Sequence, residues 1–204
     1  MSSPGRSAGR VIGGSASGLR LVSPGEGTRP LSDRVKQSLF GTVAETLPGS
    51  RVLDLFAGSG AAGIEALSRG AAWADLVERD PKAASSIKAN LHTTGLADRA
   101  AVHLSDATRF LERAGDASSR QRYDLVILDP PYGDAAMLAA LEVLGRGAVL
   151  TPEAIVVAKH FWRDAPPARM GVLRTTRAAK RFGETALTWY VRAPDEAAAP
   201  EGLP

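Results

Sequence analysis

The sequence predicts an α/β fold: a mostly parallel, seven-stranded sheet with helices on both faces, preceded by an N-terminal β-hairpin. Three observations carry this expectation. From Arg51 onward, strand-length apolar runs alternate with helix-length amphipathic runs, the pattern of a parallel sheet with crossover helices. One run, YDLVILD from Tyr123, is apolar enough to be buried on both faces, as a central parallel strand must be. Four successive strand runs carry an acid at or near the carboxyl end, where open α/β sheets bind ligands.

The elements follow in order. Residues 1–9 are small and polar, and are expected to be disordered. RVIGGSASGLRLVSP, from Arg10, reads as two short strands joined by a Gly/Ser turn. In LSDRVKQSLFGTVAETL, Ser32 is placed to cap a helix, and Val35, Leu39, Val43 and Leu47 recur every four residues on one face. Residues 10–48 thus form an extension, and residues 49–193 the main domain. There RVLDLFA is a strand, followed by a glycine turn and the helix AAGIEALSRG. WADLVERD is the second strand, and its helix PKAASSIKANLHTTG has Pro81 in the first turn. AAVHLSD and ATRFLERAG make a third strand–helix pair, with the loop DASSRQR before YDLVILD. A helix over about Ala135–Gly145 and the strand AIVVAKH come next, then two strands around a turn near Phe182–Glu184. Residues 194–204 read as a disordered tail.

Composition narrows the function. A chain of 204 residues, 44% hydrophobic, suits one α/β domain with a small extension. The absence of cysteine excludes disulfides, thiolate metal sites and thiol catalysis. His92, His103 and His160 are too scattered for a metal site, and no metal is expected. No apolar run reaches the ~18–20 residues of a membrane span, and the start MSSPGRSAGR lacks the apolar core of a signal peptide. A cytoplasmic monomer with no membrane partner is the expectation. The net charge of +3 is unevenly spread: residues 1–36 carry six Lys/Arg against two acids, and residues 159–192 carry eight against two. The 122 residues between hold eleven basic and fifteen acidic groups. Basic ends around an acidic middle suggest a polyanionic partner, which Arg6, Arg10, Arg20, Lys180 and Arg181 are placed to meet.

The strand ends hold the candidate site. In DLFAGSGAAG, Gly58, Gly60 and Gly63 match a G-x-G-x-x-G spacing, which lets backbone approach a ligand and opens a helix toward it. Asp54, four residues before the first glycine, suits an ammonium or sulfonium better than a pyrophosphate. Glu78, twenty residues beyond Gly58, can accept from both hydroxyls of a ribose. Asp106 is placed to meet an adenine amino group. Each of these acids could instead cap a helix, the commoner use of Asp after a strand. The fourth strand runs into LDPPYG, where two prolines end the pairing and offer Asp129 and Tyr132 beyond the sheet. Trp73 and Trp162 read as packing residues, and Trp189 as core or edge.

Together these segments resemble S-adenosylmethionine-dependent methyltransferases acting on exocyclic amino groups of nucleobases. TRPLSDRVKQSLF, VLDLFAGSGAAGIEALSRGA, VERD and LDPPYG are most similar to the bacterial 16S rRNA guanine-N2 methyltransferases of the RsmD type, over about Arg10–Arg192. The resemblance implies a Rossmann-like methyltransferase fold and S-adenosylmethionine as cofactor, with S-adenosylhomocysteine as product. The partner it implies is 16S rRNA, within a 30S subunit or an assembly intermediate. It implies catalysis by Asp129, Pro130 and Tyr132: carboxylate and Pro130 carbonyl would accept from the two amino hydrogens while the ring stacks on the base. It implies cofactor contacts from Arg29, Asp54, Phe56, Ala57, Gly58 and Gly60, and from Glu78, Arg79, Asp106, Ala107 and Asp129. Arg29, in the TRP element, would pair a carboxylate or a phosphate. Two residues depart from the pattern: Leu31 where threonine is usual, and Lys159 where many members carry an acid.

Other classes fit less of the chain. An adenine-N6 DNA or RNA methyltransferase shares the D-P-P-Y chemistry, but about fifty residues before the sheet and forty after its fifth strand leave little room for a duplex-reading region. A nucleic-acid-binding protein with a vestigial cofactor pocket would not need Asp54, Glu78, Asp106 and the D-P-P-Y tetrad together. A nicotinamide dehydrogenase would use the glycines and Glu78 but has no task for D-P-P-Y.

Overall fold

Small residues at the N-terminus allow close pairing of β1 (Ser7–Arg10) with β2 (Arg20–Val22), an antiparallel hairpin. This computed structural model describes residues 7–25, 31–116, 121–131 and 135–193. Strand β1 begins at Ser7, so pairing starts three residues before the expected boundary at Arg10. The hairpin does not stand apart: Ala8, Val11, Ala16 and Leu21 are buried in the same core as the helices that follow. Its loop is fastened by side chains of a later helix. The Ile12 N–H donates to Glu65 Oε2 at 2.8 Å, the Ala16 N–H to Ser68 Oγ at 2.9 Å, and Ser68 Oγ donates to the Gly13 carbonyl at 2.6 Å.

Helix α1 (Asp33–Thr42) opens where Ser32 Oγ accepts from the Val35 N–H. It stops before the expected end, at Thr42, yet Val43 and Leu47 stay buried in the turns beyond. The next elements are β3 (Arg51–Leu55), α2 (Ala61–Ser68), β4 (Trp73–Glu78) and α3 (Pro81–Thr93), then β5 (Ala100–Leu104) and α4 (Ala107–Ala114). They are followed by β6 (Tyr123–Leu128), α5 (Ala136–Leu144) and β7 (Leu150–Phe161). Strands β8 (Arg169–Met170), β9 (Leu173–Thr175), β10 (Lys180–Phe182) and β11 (Thr185–Arg192) close the described chain.

The main sheet runs β5-β4-β3-β6-β7-β11-β9-β8, with β10 on β11. Strands β5 to β7 are parallel, and those beyond are antiparallel. The sheet has nine strands where seven were expected. The excess is the short pair β8 and β9, too brief to leave a period-2 signature. The turn expected near Phe182–Glu184 is there, joining β10 to β11. Strand β7 also starts earlier than expected, at Leu150, and its register on β6 shifts between Tyr123 and Leu125, where Pro152 has no N–H to donate.

Both faces of the parallel half are covered, as its continuous apolar runs require. In β6, Leu125 and Ile127 join the core under the hairpin, α1, α2 and α3, while Val126 and Leu128 join the core under α4 and α5. At the amino end of the sheet one carboxylate organises three strands. Asp75 of β4 is nearly inaccessible and accepts from Arg51 Nη2 at 2.8 Å and Tyr123 Oη at 3.0 Å, with His103 Nε2 at 2.8 Å. Burial pushes its carboxyl up, but the bonds from His103 and Arg51 outweigh this and hold it below the ordinary 3.8.

The first prediction follows from that network. Asp75→Asn should destabilise the fold by about 3 kcal/mol at neutral pH, because Arg51 loses its carboxylate. A depressed folded pKa contributes stability above the ordinary value that is lost as pH falls through the folded one. The parent should therefore lose its advantage over the variant below pH 3.8, as read from urea unfolding across the acid range.

Candidate active site

Strand order creates the site. Successive crossovers carry the chain from β3 outward to β4 and β5, and then back to β6 on the other side of β3. At that reversal the carboxyl ends of β3 and β6 part, and a crevice opens between their loops. The register Leu55↔Leu128 sets Phe56 beside Asp129 at this point, and the Asp129 N–H faces the Leu55 carbonyl at 3.4 Å. The resulting cleft measures about 580 Å³, within the range of small-molecule sites.

One wall is the turn after β3. Phe56 has φ +63°, a strained conformation for a bulky residue, and it bends the chain out of the sheet. Gly60 follows at φ +77° and heads α2; a side chain there would press on Leu76, Ile87 and Ile64 within 3.1–3.3 Å. Phe56, Ala57 and Gly58 line the cleft, whereas Gly60 lies behind the loop and allows its close packing.

Asp54 sits at the floor, buried, with Oδ2 accepting from the Gly63 N–H at 2.8 Å. It was expected to face a cation from the loop's entrance; it also ties the first turn of α2 to β3. Burial pushes its pKa up to about 7, which the Gly63 bond opposes and the charges of Asp129 and Glu78 reinforce. A cation entering the cleft would relieve this crowding of carboxylates; a pyrophosphate would add to it.

Glu78, at the end of β4, holds the opposite wall. Its Oε2 accepts from the Gly58 N–H at 2.8 Å and its Oε1 from the Asp80 N–H at 2.9 Å. Arg79 lines the cleft beside it. Asp106 has the commoner role: it caps α4, accepting from Thr108 and Arg109 N–H groups, and the wall at that strand end is formed by Ser105 and Ala107.

On the far side stand Asp129 and Pro130, with Lys159 of β7 in an ion pair with Asp129 Oδ1. Burial raises the Asp129 carboxyl, and Lys159 opposes that rise. Lys159, which departs from the resembled pattern, thus touches the central acid directly. Tyr132, Arg29 and Arg6 lie outside the described residues. Among the remaining basic positions, Arg10 is paired with Asp33 at 3.2 Å, and Arg20, Lys180 and Arg181 are exposed.

Sequence reasoning missed the roof of the cleft. Leu31, Ser32 and Val35 of the α1 start, Pro24 and Gly25 after β2, and Glu184 and Thr185 of the β10–β11 turn all line it. The expected cofactor contact of Arg29 in the TRP element pointed to the extension without naming these residues. It also missed Asn90 of α3, whose Oδ1 accepts from the Val22 N–H at 2.8 Å and whose Nδ2 donates to the Ser59 carbonyl at 2.9 Å. One buried amide thereby connects the hairpin to the glycine loop. Among the described residues no group of His, Asp and Glu could hold a metal, and no helix is long and apolar enough to cross a membrane.

Asp54 yields the second prediction. Below pH 3.8 its carboxyl is protonated in both states; between 3.8 and about 7 only the unfolded chain ionises, so the unliganded fold loses stability as pH rises. Asp54→Asn keeps an acceptor for Gly63 and removes that loss. Its stability relative to the parent should climb from pH 4 to pH 7 by an amount on the order of 2–4 kcal/mol, then level off, in unfolding measured without ligand.

Known proteins share this architecture. YlbH of Bacillus subtilis strain 168, provisionally named an rRNA methyltransferase, is 39% identical over 182 residues, 89% of this chain and 97% of that protein. Ribosomal RNA small subunit methyltransferase D of Escherichia coli K12 is 37% identical over 148 residues, 72% of each. The solved structure of Escherichia coli yhhF, provisionally named a methyltransferase, superposes with a TM-score of 0.78 at 32% identity, covering 90% of this chain and 97% of that one. The fold is therefore the Rossmann-like methyltransferase fold, and with residues 9–191 matching its model the chain belongs to the family described as Conserved hypothetical protein 95.

Proposed function

We propose that the protein transfers a methyl group from S-adenosylmethionine to the exocyclic N2 amine of a guanine in 16S rRNA, in the cytoplasm, with a 30S subunit or its assembly intermediate as substrate. The observation that carries this reading is the sharing of one cleft by the glycine loop, Glu78 and the Asp129–Pro130 pair. The names of the relatives support the RNA substrate, and the carboxylates around Asp54 support a cationic cofactor.

The residues present fit that cofactor. Glycine backbone lines one wall, and Glu78, with two oxygens at the rim, would take the ribose hydroxyls. Arg79 and Ala107 would flank the base, and Arg29 the carboxylate. When bound, S-adenosylmethionine supplies an electrophilic methyl group on a sulfonium and leaves as S-adenosylhomocysteine.

The chain's own contribution is alignment. An exocyclic amine is a weak nucleophile because its lone pair is delocalised into the purine. Acceptors aimed at its two hydrogens pyramidalise the nitrogen and turn that lone pair toward the methyl group. The Pro130 carbonyl is one, held by proline geometry, and Asp129 the other. The methylated nitrogen then gives up one of its protons. Lys159 occupies Oδ1 of Asp129, so this reading assigns Oδ2 to the amine. The ion pair with Lys159 opposes the rise that burial imposes on this carboxyl. Tyr132 stacks on the base. Positioning is the main source of rate, since the donor is already activated.

Four outcomes test this. Asp129→Ala should abolish transfer to 30S subunits while S-adenosylmethionine still binds, as read by calorimetry; retained transfer would sink the assignment. Tyr132→Phe should keep most activity, whereas Tyr132→Ala should lose about tenfold to a hundredfold in rate, as expected for about 1–3 kcal/mol of stacking. Glu78→Gln should weaken S-adenosylmethionine by about tenfold, because the amide has a single acceptor oxygen where the carboxylate has two. Nucleoside mass spectrometry of the product should show N2-methylguanosine; N6-methyladenosine would transfer the same geometry to adenine.

A further inference from the structure

Trp162, which the sequence reads as a packing residue, packs against arginines. It follows β7 directly, is only partly buried, and carries the guanidinium carbons of Arg181 and Arg163 at 3.7 and 4.8 Å from its ring centroid. Both arginines are exposed. Beside it the Phe182 ring is partly exposed, with Lys180 Nζ at 5.6 Å and the Arg34 guanidinium at 5.8 Å. The nearby acids in sequence are Asp164 and Glu184, so cations predominate.

This cluster sits at the cleft. The Trp162 backbone N–H donates to the Glu184 carbonyl at 3.0 Å, and Glu184 and Thr185 line the cleft wall. That bond ties the end of β7 to the cleft wall.

We propose that Trp162, with Arg163 and Arg181, forms a stacking site for an unpaired RNA base next to the mouth of the cleft. The proposal rests on the methyltransferase reading for its biological substrate, though not for its chemistry. A planar indole paired with planar guanidinium groups offers π-faces to any base and cations to the phosphates around it. Lysines alone would supply only the charge. A base in a duplex hides its faces, so the site selects single-stranded RNA. An acidic protein segment would use the cations alone and gain nothing from an aromatic ring stacked with them. A neighbour of the target nucleotide held here would hold the strand open while the target base enters the cleft.

The test uses the full chain and two fluorescent probes, a single-stranded RNA hexamer of mixed sequence and its abasic counterpart with the same phosphates. Trp162→Ala should bind the hexamer about tenfold or more weakly and the abasic probe as the parent does. Trp162→Phe should recover most of the hexamer affinity. Replacing Arg163 and Arg181 by Gln should weaken both probes and flatten their salt dependence. S-adenosylmethionine binding, measured on the same preparations, should be unchanged by Trp162→Ala, which shows that the variant is folded. Equal losses on both probes, or no loss on the hexamer, would overturn the stacking site. A parent that binds the hexamer through Trp162 but no S-adenosylmethionine would overturn the methyltransferase reading and leave the stacking site standing.

Discussion

The site depends on one topological constraint, the reversal of strand order at β3. Because β4 lies on one side of β3 and β6 on the other, the loops that leave β3 and β6 must diverge. The parallel register then sets the glycine loop beside Asp129 without any side-chain contact between them. Phe56 bears the conformational cost, with φ in a region costing on the order of 1–3 kcal/mol for such a residue. The tightly packed core on either side of β3 and β6 holds that strain in place.

Carboxylates within this frame serve both the fold and the cleft. Asp54 fastens α2 to β3, Glu78 fastens the glycine loop to the end of β4, and Asp129 is held by Lys159. Burial lifts Asp54 toward neutrality and the charges of Asp129 and Glu78 add to it, so a cation bound in the cleft would ease the strain on this carboxyl. Asp75, by contrast, lies at the opposite end of the strands with Arg51 and His103 already on its oxygens. The same residue type stabilises the fold at one end of the sheet and stores a disposition to bind at the other.

The hairpin is joined to this frame by hydrogen bonds from its backbone to side chains of α2 and α3. Asn90 bonds Val22 on one side and Ser59 on the other, and Glu65 and Ser68 clasp the hairpin loop. A pull on the extension is therefore transmitted to the glycine loop through one buried amide. At the other end of the chain, the turn between β10 and β11 lines the cleft. Among the described residues, Leu31, Ser32 and Val35 of one basic stretch and Glu184 and Thr185 of the other thus line the same opening.

Much of this was legible in the sequence. Period and run length placed the strands and helices of the parallel half, and the glycine spacing with Asp54, Glu78 and Asp129 located the cleft, because these signals are local in the chain. What only the tertiary structure decided are contacts between residues far apart in sequence. That Asp106 caps a helix, that Lys159 meets Asp129 across thirty positions, and that Asn90 joins two loops depend on side-chain direction and strand register. Trp162 shows the reason most plainly. An indole in a sequence reads as core because apolar area favours burial, yet whether the fold brings apolar neighbours or arginines over its ring is settled by how β7 meets the β10–β11 turn.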